Sequence, residues 1–293
     1  MSAKNENESK NKRTKLERRA ALERLLRRGT TDHYIDTALY DFEYAERTED
    51  VRWYRKLARE HFDGGAHIVE LGAGTGRITC PLAKDGHTIE AVDLMPKMLE
   101  RLYDRAEGQD WAERITLHEA DMRALPLEDA SVDMAISPFN ALMHLYTWGD
   151  LLACFREVYR VLVPSGVFAF DVQLPDVEWL TWDPNERHAV TPFEHPETGE
   201  SLIYSTNHHY DHATQICHIN LYYDEPPPKG RKFRPPPKPK RLVRLAHRQI
   251  YPEEIRALTG IAGFELERHE GDFRGRALTG ASESQTVVCR KPA

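Results

Sequence analysis

The chain predicts an α/β fold, with a doubly wound, mostly parallel sheet and an antiparallel β insertion after the fifth strand. Three observations predict it. Short apolar strands alternate with helix-length segments between residues 67 and 172. A glycine-rich turn, Gly72-x-Gly74-x-Gly76, joins the first of those strands to a helix. The alternation stops near Gln173 and returns at Pro252, enclosing a stretch rich in Pro, His, Tyr and Thr.

The elements follow in order. Residues 1–13 are polar and read as a flexible tail. Thr14 and Glu17 form a capping box that predicts a short basic helix to about Arg28. Val51, Tyr54, Leu57 and Ala58 recur at helical spacing within 48–61, and Gly64-Gly65 ends that helix. Strands are predicted over 67–71, 88–93, 115–119, 132–137 and 166–172, and helices over 77–85, 97–107 and 151–161. Within the insertion, 201–210 and 215–224 read as strands joined by the polar turn 211–214, and 242–250 as a third. Pro226–Pro228 and Pro235–Pro237 cannot hold a ladder or a helix, so 225–241 is an extended, exposed loop. A helix over 252–262, with Pro at its first turn, and strands over 264–269 and 286–289 complete the sheet. The predicted organisation is a basic tail or helix (1–28), an α/β domain (29–172 and 251–293) and an inserted antiparallel lid (173–250).

Composition narrows the function. The chain has 293 residues, 40% hydrophobic and 30% charged, enough for a large core. No apolar run approaches the roughly 20 residues of a membrane span, and the N-terminus lacks an apolar signal segment, so a cytoplasmic protein is expected. Cys80, Cys154, Cys217 and Cys289 are scattered singly, which supports neither a zinc site nor a disulfide framework. Net charge is −7, yet residues 1–28 carry ten Lys/Arg against four Glu, and 225–241 seven against one. An acidic body with two basic appendages is not a nucleic-acid groove.

The chemistry-bearing stretch is Ile68-Val-Glu-Leu-Gly-Ala-Gly-Thr-Gly-Arg77. Glycines let the backbone turn sharply and let a ligand lie against it. A dinucleotide fingerprint places its last glycine one position later, and the Glu70 carboxylate would repel a diphosphate there. Asp93 ends the second strand, where an acid accepts ribose hydroxyls. Asp121 ends the third and suits an exocyclic amine. Three acids at successive strand ends suit a nucleoside carrying an amino acid.

Glu70–Gly76, Val92–Met98, Ala120–Met122 and Tyr159–Gly166 together resemble the class I S-adenosylmethionine-dependent methyltransferases. The match covers about 65–172, and Pro164-Ser-Gly166 departs from the usual Pro-Gly-Gly at a structural turn. The resemblance implies a Rossmann-like seven-stranded sheet and S-adenosyl-L-methionine as cofactor. By resemblance, Glu70, Gly72, Ala73 and Gly74 hold the methionine part, and Asp93 takes the ribose. Leu94 and Met98 lie under the adenine, Asp121 and Met122 hold its edge, and Ser137, Pro138 and Phe139 border the sulfonium. Tyr40 or Tyr44 belongs to an N-terminal cap over the cofactor.

For the acceptor, the fourth-strand exit Ser137-Pro-Phe-Asn140 lacks the motifs of DNA base methyltransferases, so DNA is not expected. His144 is the candidate general base or orienting group, because its ordinary pKa suits proton transfer near neutrality. His208, Tyr210 and Arg248 of the lid are the candidate acceptor contacts. Adjacent His208 and His209 point apart in a strand, so no metal is expected. The expected reaction is methyl transfer to an oxygen or nitrogen of a small molecule. The alternatives are an RNA or protein methyltransferase using the basic tail and loop, and a non-catalytic nucleoside-binding regulator.

Overall fold

The computed structural model describes residues 17 and 19–293, so the predicted tail and Thr14 of the capping box lie outside the described residues. A helix, α1, runs over 19–31, and a short 3₁₀ turn, Asp32–Tyr34, links it to α2 (Thr37–Glu43) and α3 (Glu49–His61). Then come β1 (His67–Leu71), α4 (Thr79–Lys84), β2 (Thr88–Asp93), α5 (Pro96–Ala106), β3 (Ile115–Glu119), β4 (Val132–Ser137), α6 (Trp148–Val161) and β5 (Leu162–Gln173). After α7 (Val177–Leu180) the insertion forms β6 (His188–Glu194), β7 (Ser201–Asp211), β8 (Ile216–Asp224) and β9 (Arg241–Arg248). The chain closes with α8 (Pro252–Ala262), β10 (Glu265–Glu270) and β11 (Ser284–Arg290).

The main sheet has seven strands in the order β10-β11-β5-β4-β1-β2-β3. β3, β2, β1, β4 and β5 are parallel, and β11 runs antiparallel to both β5 and β10. Strand order reverses between β1 and β4, which is where an open α/β sheet leaves a crevice at its carboxyl ends. Alternate side chains of each strand feed two cores. Val69, Ala135, Phe168 and Phe170 pack on Phe155 and Val158 of α6 and Ile255 and Leu258 of α8. Ile68, Ile89, Met134 and Ala169 pack on Tyr54 and Leu57 of α3 and Leu102 of α5. Burial on both faces explains why these strands read as continuous apolar runs.

The insertion is a separate four-stranded antiparallel sheet, β6-β7-β8-β9. Its apolar face, with Leu202, Leu221, Tyr223 and Val243, closes on Leu39 of α2. Strand β6 was not legible, because it is an exposed edge carrying Pro192 and lacks apolar alternation.

Candidate active site

β1 delivers the chain to Gly72 (φ +73°) and Gly74 (φ +56°), both in the left-handed region that favours glycine. The N–H groups of Gly72 and Ala73 both donate to the carbonyl of Val92, at 2.8 and 3.0 Å, which folds the loop across the end of β2. A Cβ on Gly72 would meet Cβ of Ala141 at 2.8 Å, whereas one on Gly74 would meet nothing within 4 Å. Gly72 is thus needed for packing, and Gly74 opens onto a cleft of about 800 Å³ at the strand-order reversal.

Asp93 holds the loop in place. Its Oδ2 accepts the Gly74 N–H and its Oδ1 the Met95 N–H, both at 2.8 Å. Burial raises its pKa, and these N–H groups partly offset the rise. Glu70 sits elsewhere. It is buried behind the loop, takes the Thr79 hydroxyl at 2.6 Å and does not line the cleft. Burial pushes its carboxyl up to about 8, so it is neutral rather than the anion the sequence suggested. The expected convergence of three carboxylates is therefore two, Asp93 and Asp121. Asp121 in turn is engaged by Arg123, at 2.6 Å through Nη2, which holds its pKa below the ordinary value; Arg123 also pairs with Asp150.

Leu94, Met122, Pro138 and Phe139 line the cleft. Met98 is instead a core residue, 1% exposed, because α5 turns that face toward the sheet. Ser137 is fully buried behind the turn. Phe139 and Asn140 both have positive φ, and the turn they form is pinned by Asp171. Asp171 Oδ1 accepts the Phe139 N–H at 2.9 Å and the Tyr54 hydroxyl at 2.8 Å. Two consecutive left-handed residues cost about 1–3 kcal/mol each, so this pinning sets where the Phe139 ring faces.

The opposite wall comes from the N-terminal segment. Leu26, Arg27, Thr30, Tyr34 and Tyr40 line the cleft, so the basic N-terminal helix is part of the site. Thr30 Oγ1 lies 2.7 Å from the Tyr146 hydroxyl, and Gly29 lies against β9, where a Cβ would meet that of Ala246 at 2.5 Å. Tyr44 stands one layer back, 3.0 Å from His33 Nε2 and edge-on to Phe139 at 4.7 Å between ring centres.

His144 ends the 3₁₀ turn Ala141–His144 and faces the cleft. Its Nε2 lies 2.6 Å from the Tyr34 hydroxyl, and its Nδ1 is buried without a partner. Burial lowers its pKa well below the ordinary value, reinforced by His247 and His33. Among the lid residues, His247 reaches the site, its ring 5.0 Å from that of His144. The three expected lid contacts do not line the cleft. His208 stacks on Trp179 and bonds its carbonyl at 2.7 Å. Tyr210 is engaged with Tyr251. Arg248 donates to the Tyr146 carbonyl at 3.1 Å and pairs with Glu254, so it supports the wall from behind. Among the described residues no group of His, Cys, Asp and Glu has metal-binding geometry, and no helix is long and apolar enough to cross a membrane.

Residues 68–166 match the family model described as a methyltransferase domain. Over these residues the chain is similar to methyltransferase domains. A putative methyltransferase of Bacillus subtilis, YqeM, is 31% identical over 105 residues, which is 36% of this chain and 41% of that protein. The chain spans less than half the length of the first curated relatives it matches. Solved structures share the fold over far more of the chain. The CcbJ methyltransferase from Streptomyces caelestis aligns with a TM-score of 0.71 at 22% identity, over 89% of this chain and 98% of that one. The S-adenosylmethionine-bound amino pentose methyltransferase CalS10 from Micromonospora echinaspora aligns with a TM-score of 0.59 at 20% identity, over 86% of this chain and 96% of that one. The shared fold therefore runs through the inserted sheet as well as the seven-stranded sheet.

Proposed function

We propose that the protein transfers a methyl group from S-adenosyl-L-methionine to a nitrogen or oxygen of a small-molecule acceptor. The observation that carries this reading is the cleft itself. The open face of Gly74, the Asp93 carboxylate and the Pro138–Phe139 turn meet at the strand-order reversal, in a stretch that matches a methyltransferase domain model.

The residues present fit the cofactor. Asp93 keeps oxygen lone pairs beyond those used by Gly74 and Met95, and these suit ribose hydroxyls. Leu94 and Met122 offer apolar faces for the adenine, and the open side of Gly74 lets the methionine part lie on the backbone. Phe139 and Tyr40 border the end of the cleft where the sulfur would lie. The bound group supplies a methyl on a positively charged sulfur, already a good leaving group. The protein's task is alignment and exclusion of water.

Alignment falls to the Tyr34–His144 pair. A proton on His144 Nδ1 would be a buried donor with no acceptor, so the favoured tautomer carries it on Nε2 and donates it to the Tyr34 oxygen. The Tyr34 hydroxyl hydrogen is then free to point into the cleft. His144 stays uncharged at neutral pH and acts as the positioning residue for Tyr34, rather than as the proton store its ordinary pKa suggests. Tyr34 becomes the group that orients the acceptor.

Calorimetry with S-adenosylhomocysteine tests the cofactor half, and release of S-adenosylhomocysteine over a panel of amine and hydroxyl acceptors tests the reaction. Absence of binding overturns the proposal. Binding without turnover on any acceptor favours the nucleoside-binding regulator.

A further inference from the structure

Outside the cleft, the segment between β8 and β9 carries a large excess of positive charge. Residues 225–241 carry seven Lys/Arg against one Glu in a chain of net charge −7. Body arginines commonly lie against a carboxylate, as Arg77 does on Asp50 and Arg160 on Glu157. In the loop, Lys240 is tied to Glu200 and Glu225, and Arg241 to Asp36. Among the described residues no ion pair engages Arg231, Lys232, Arg234 or Lys238. Uncompensated cations in an otherwise acidic protein call for an anion from outside.

The loop also encloses space. It folds around a cavity of about 850 Å³, lined by these four cations, Phe233 and Asp224. That volume is in the range of small-ligand sites. Prolines 226–228 and 235–237 fix the backbone on both sides, and the Arg231 N–H closes a turn onto the Pro228 carbonyl at 3.0 Å. Asp224 supplies an independent sign. It is fully buried, its Oδ2 takes Arg187 at 2.7 Å, and its Oδ1 has no partner. A buried carboxylate oxygen left without a donor is unfavourable, and a ligand N–H or O–H would satisfy it. Phe233, half-buried among the cations, offers a ring face for stacking.

We propose that this loop is a binding site for a small organic phosphate of the nucleoside di- or triphosphate class, separate from the methyl-transfer cleft. Arg231, Lys232 and Arg234 take the phosphates, Phe233 stacks on the base, and Asp224 accepts from an amino or hydroxyl group. A long nucleic acid fits less well, because beyond the loop it would run onto an acidic body.

The test is calorimetry on the full chain with two probes, ADP and inorganic tripolyphosphate. Both are expected to bind, more weakly as salt rises, with affinities unchanged by saturating S-adenosylhomocysteine. The double variant Arg231→Ala/Arg234→Ala is expected to weaken both probes by about tenfold or more, and Phe233→Ala to weaken ADP alone by roughly threefold or more. These side chains lie on the loop, so an unchanged melting temperature verifies that the variants are folded. Four results overturn the proposal: neither probe binds; the double variant binds as tightly as the parent; S-adenosylhomocysteine displaces ADP; or Phe233→Ala weakens both probes equally or neither. A short single-stranded RNA that binds through the same arginines about a hundredfold tighter than ADP also overturns it, in favour of a nucleic-acid surface.

Discussion

Replacing Asp93 by Asn probes the loop and the cofactor together. The carboxylate accepts two main-chain N–H bonds at 2.8 Å, one to each oxygen. An amide has one oxygen, so either Gly74 or Met95 would face an NH₂ group and lose its acceptor. A hydrogen bond to a charged group contributes about 1.5–3 kcal/mol. The variant should therefore lose about 2 kcal/mol of stability in urea unfolding, by the same magnitude. The loop must then be ordered at the expense of binding, and the ribose loses its anionic acceptor. Together these should weaken S-adenosylhomocysteine by about tenfold to a hundredfold in calorimetry, at about 1.4 kcal/mol per decade. A ligand lacking the ribose 2′-hydroxyl separates the two causes. Its disadvantage against S-adenosylhomocysteine should be large in the parent and small in the variant. Unchanged affinity in a folded variant would refute the ribose assignment.

Further predictions concern the other walls. Tyr34→Phe should lower kcat by about tenfold to a hundredfold with cofactor affinity intact, since it removes the oriented hydroxyl but keeps the ring; an unchanged kcat removes Tyr34 from the reaction. His144→Ala should act in the same direction, and on top of Tyr34→Phe should add little; full additivity would show that the two do not act as one unit. Glu70 has a folded pKa of about 8 against an ordinary 4.5, so its stabilising contribution is full below 4.5 and is lost as pH rises to about 8. The Glu70→Gln variant should lack that loss, which is at most about 5 kcal/mol at 1.36 kcal/mol per unit, and equal pH slopes of parent and variant in urea unfolding would contradict the burial argument. Gly29→Val should detach α1 from β9, because a Cβ there meets that of Ala246 at 2.5 Å; protease cleavage within α1 should accelerate and cofactor affinity fall, and an unchanged cleavage pattern would count against α1 as a wall of the cleft.

The parallel part of the sheet was legible because its strands are buried on both faces and so read as unbroken apolar runs between helix signals. The glycine loop was legible because only glycine tolerates its positive φ values. The positions of Asp93 and the Pro138–Phe139 turn were legible because each lies at the end of a strand that reads as an apolar run. Tyr34, His247 and the α1 wall were not. They come from segments remote in sequence, and each looks like an ordinary surface residue until its partner is known. The Tyr34–His144 bond, for example, joins residues 110 positions apart.

The sequence by itself determined the α/β class, the glycine turn and the strand-end acids, since local sterics and hydrophobic period act over a few residues. Tertiary structure decided which side chains face the cleft. It turned Met98 into the core and left Glu70 protonated behind the loop. It kept His208 and Arg248 out of the cleft and brought His247 up to His144. Burial and hydrogen-bond partners depend on elements far apart in the chain, and those partners set both the orientation and the charge of a side chain.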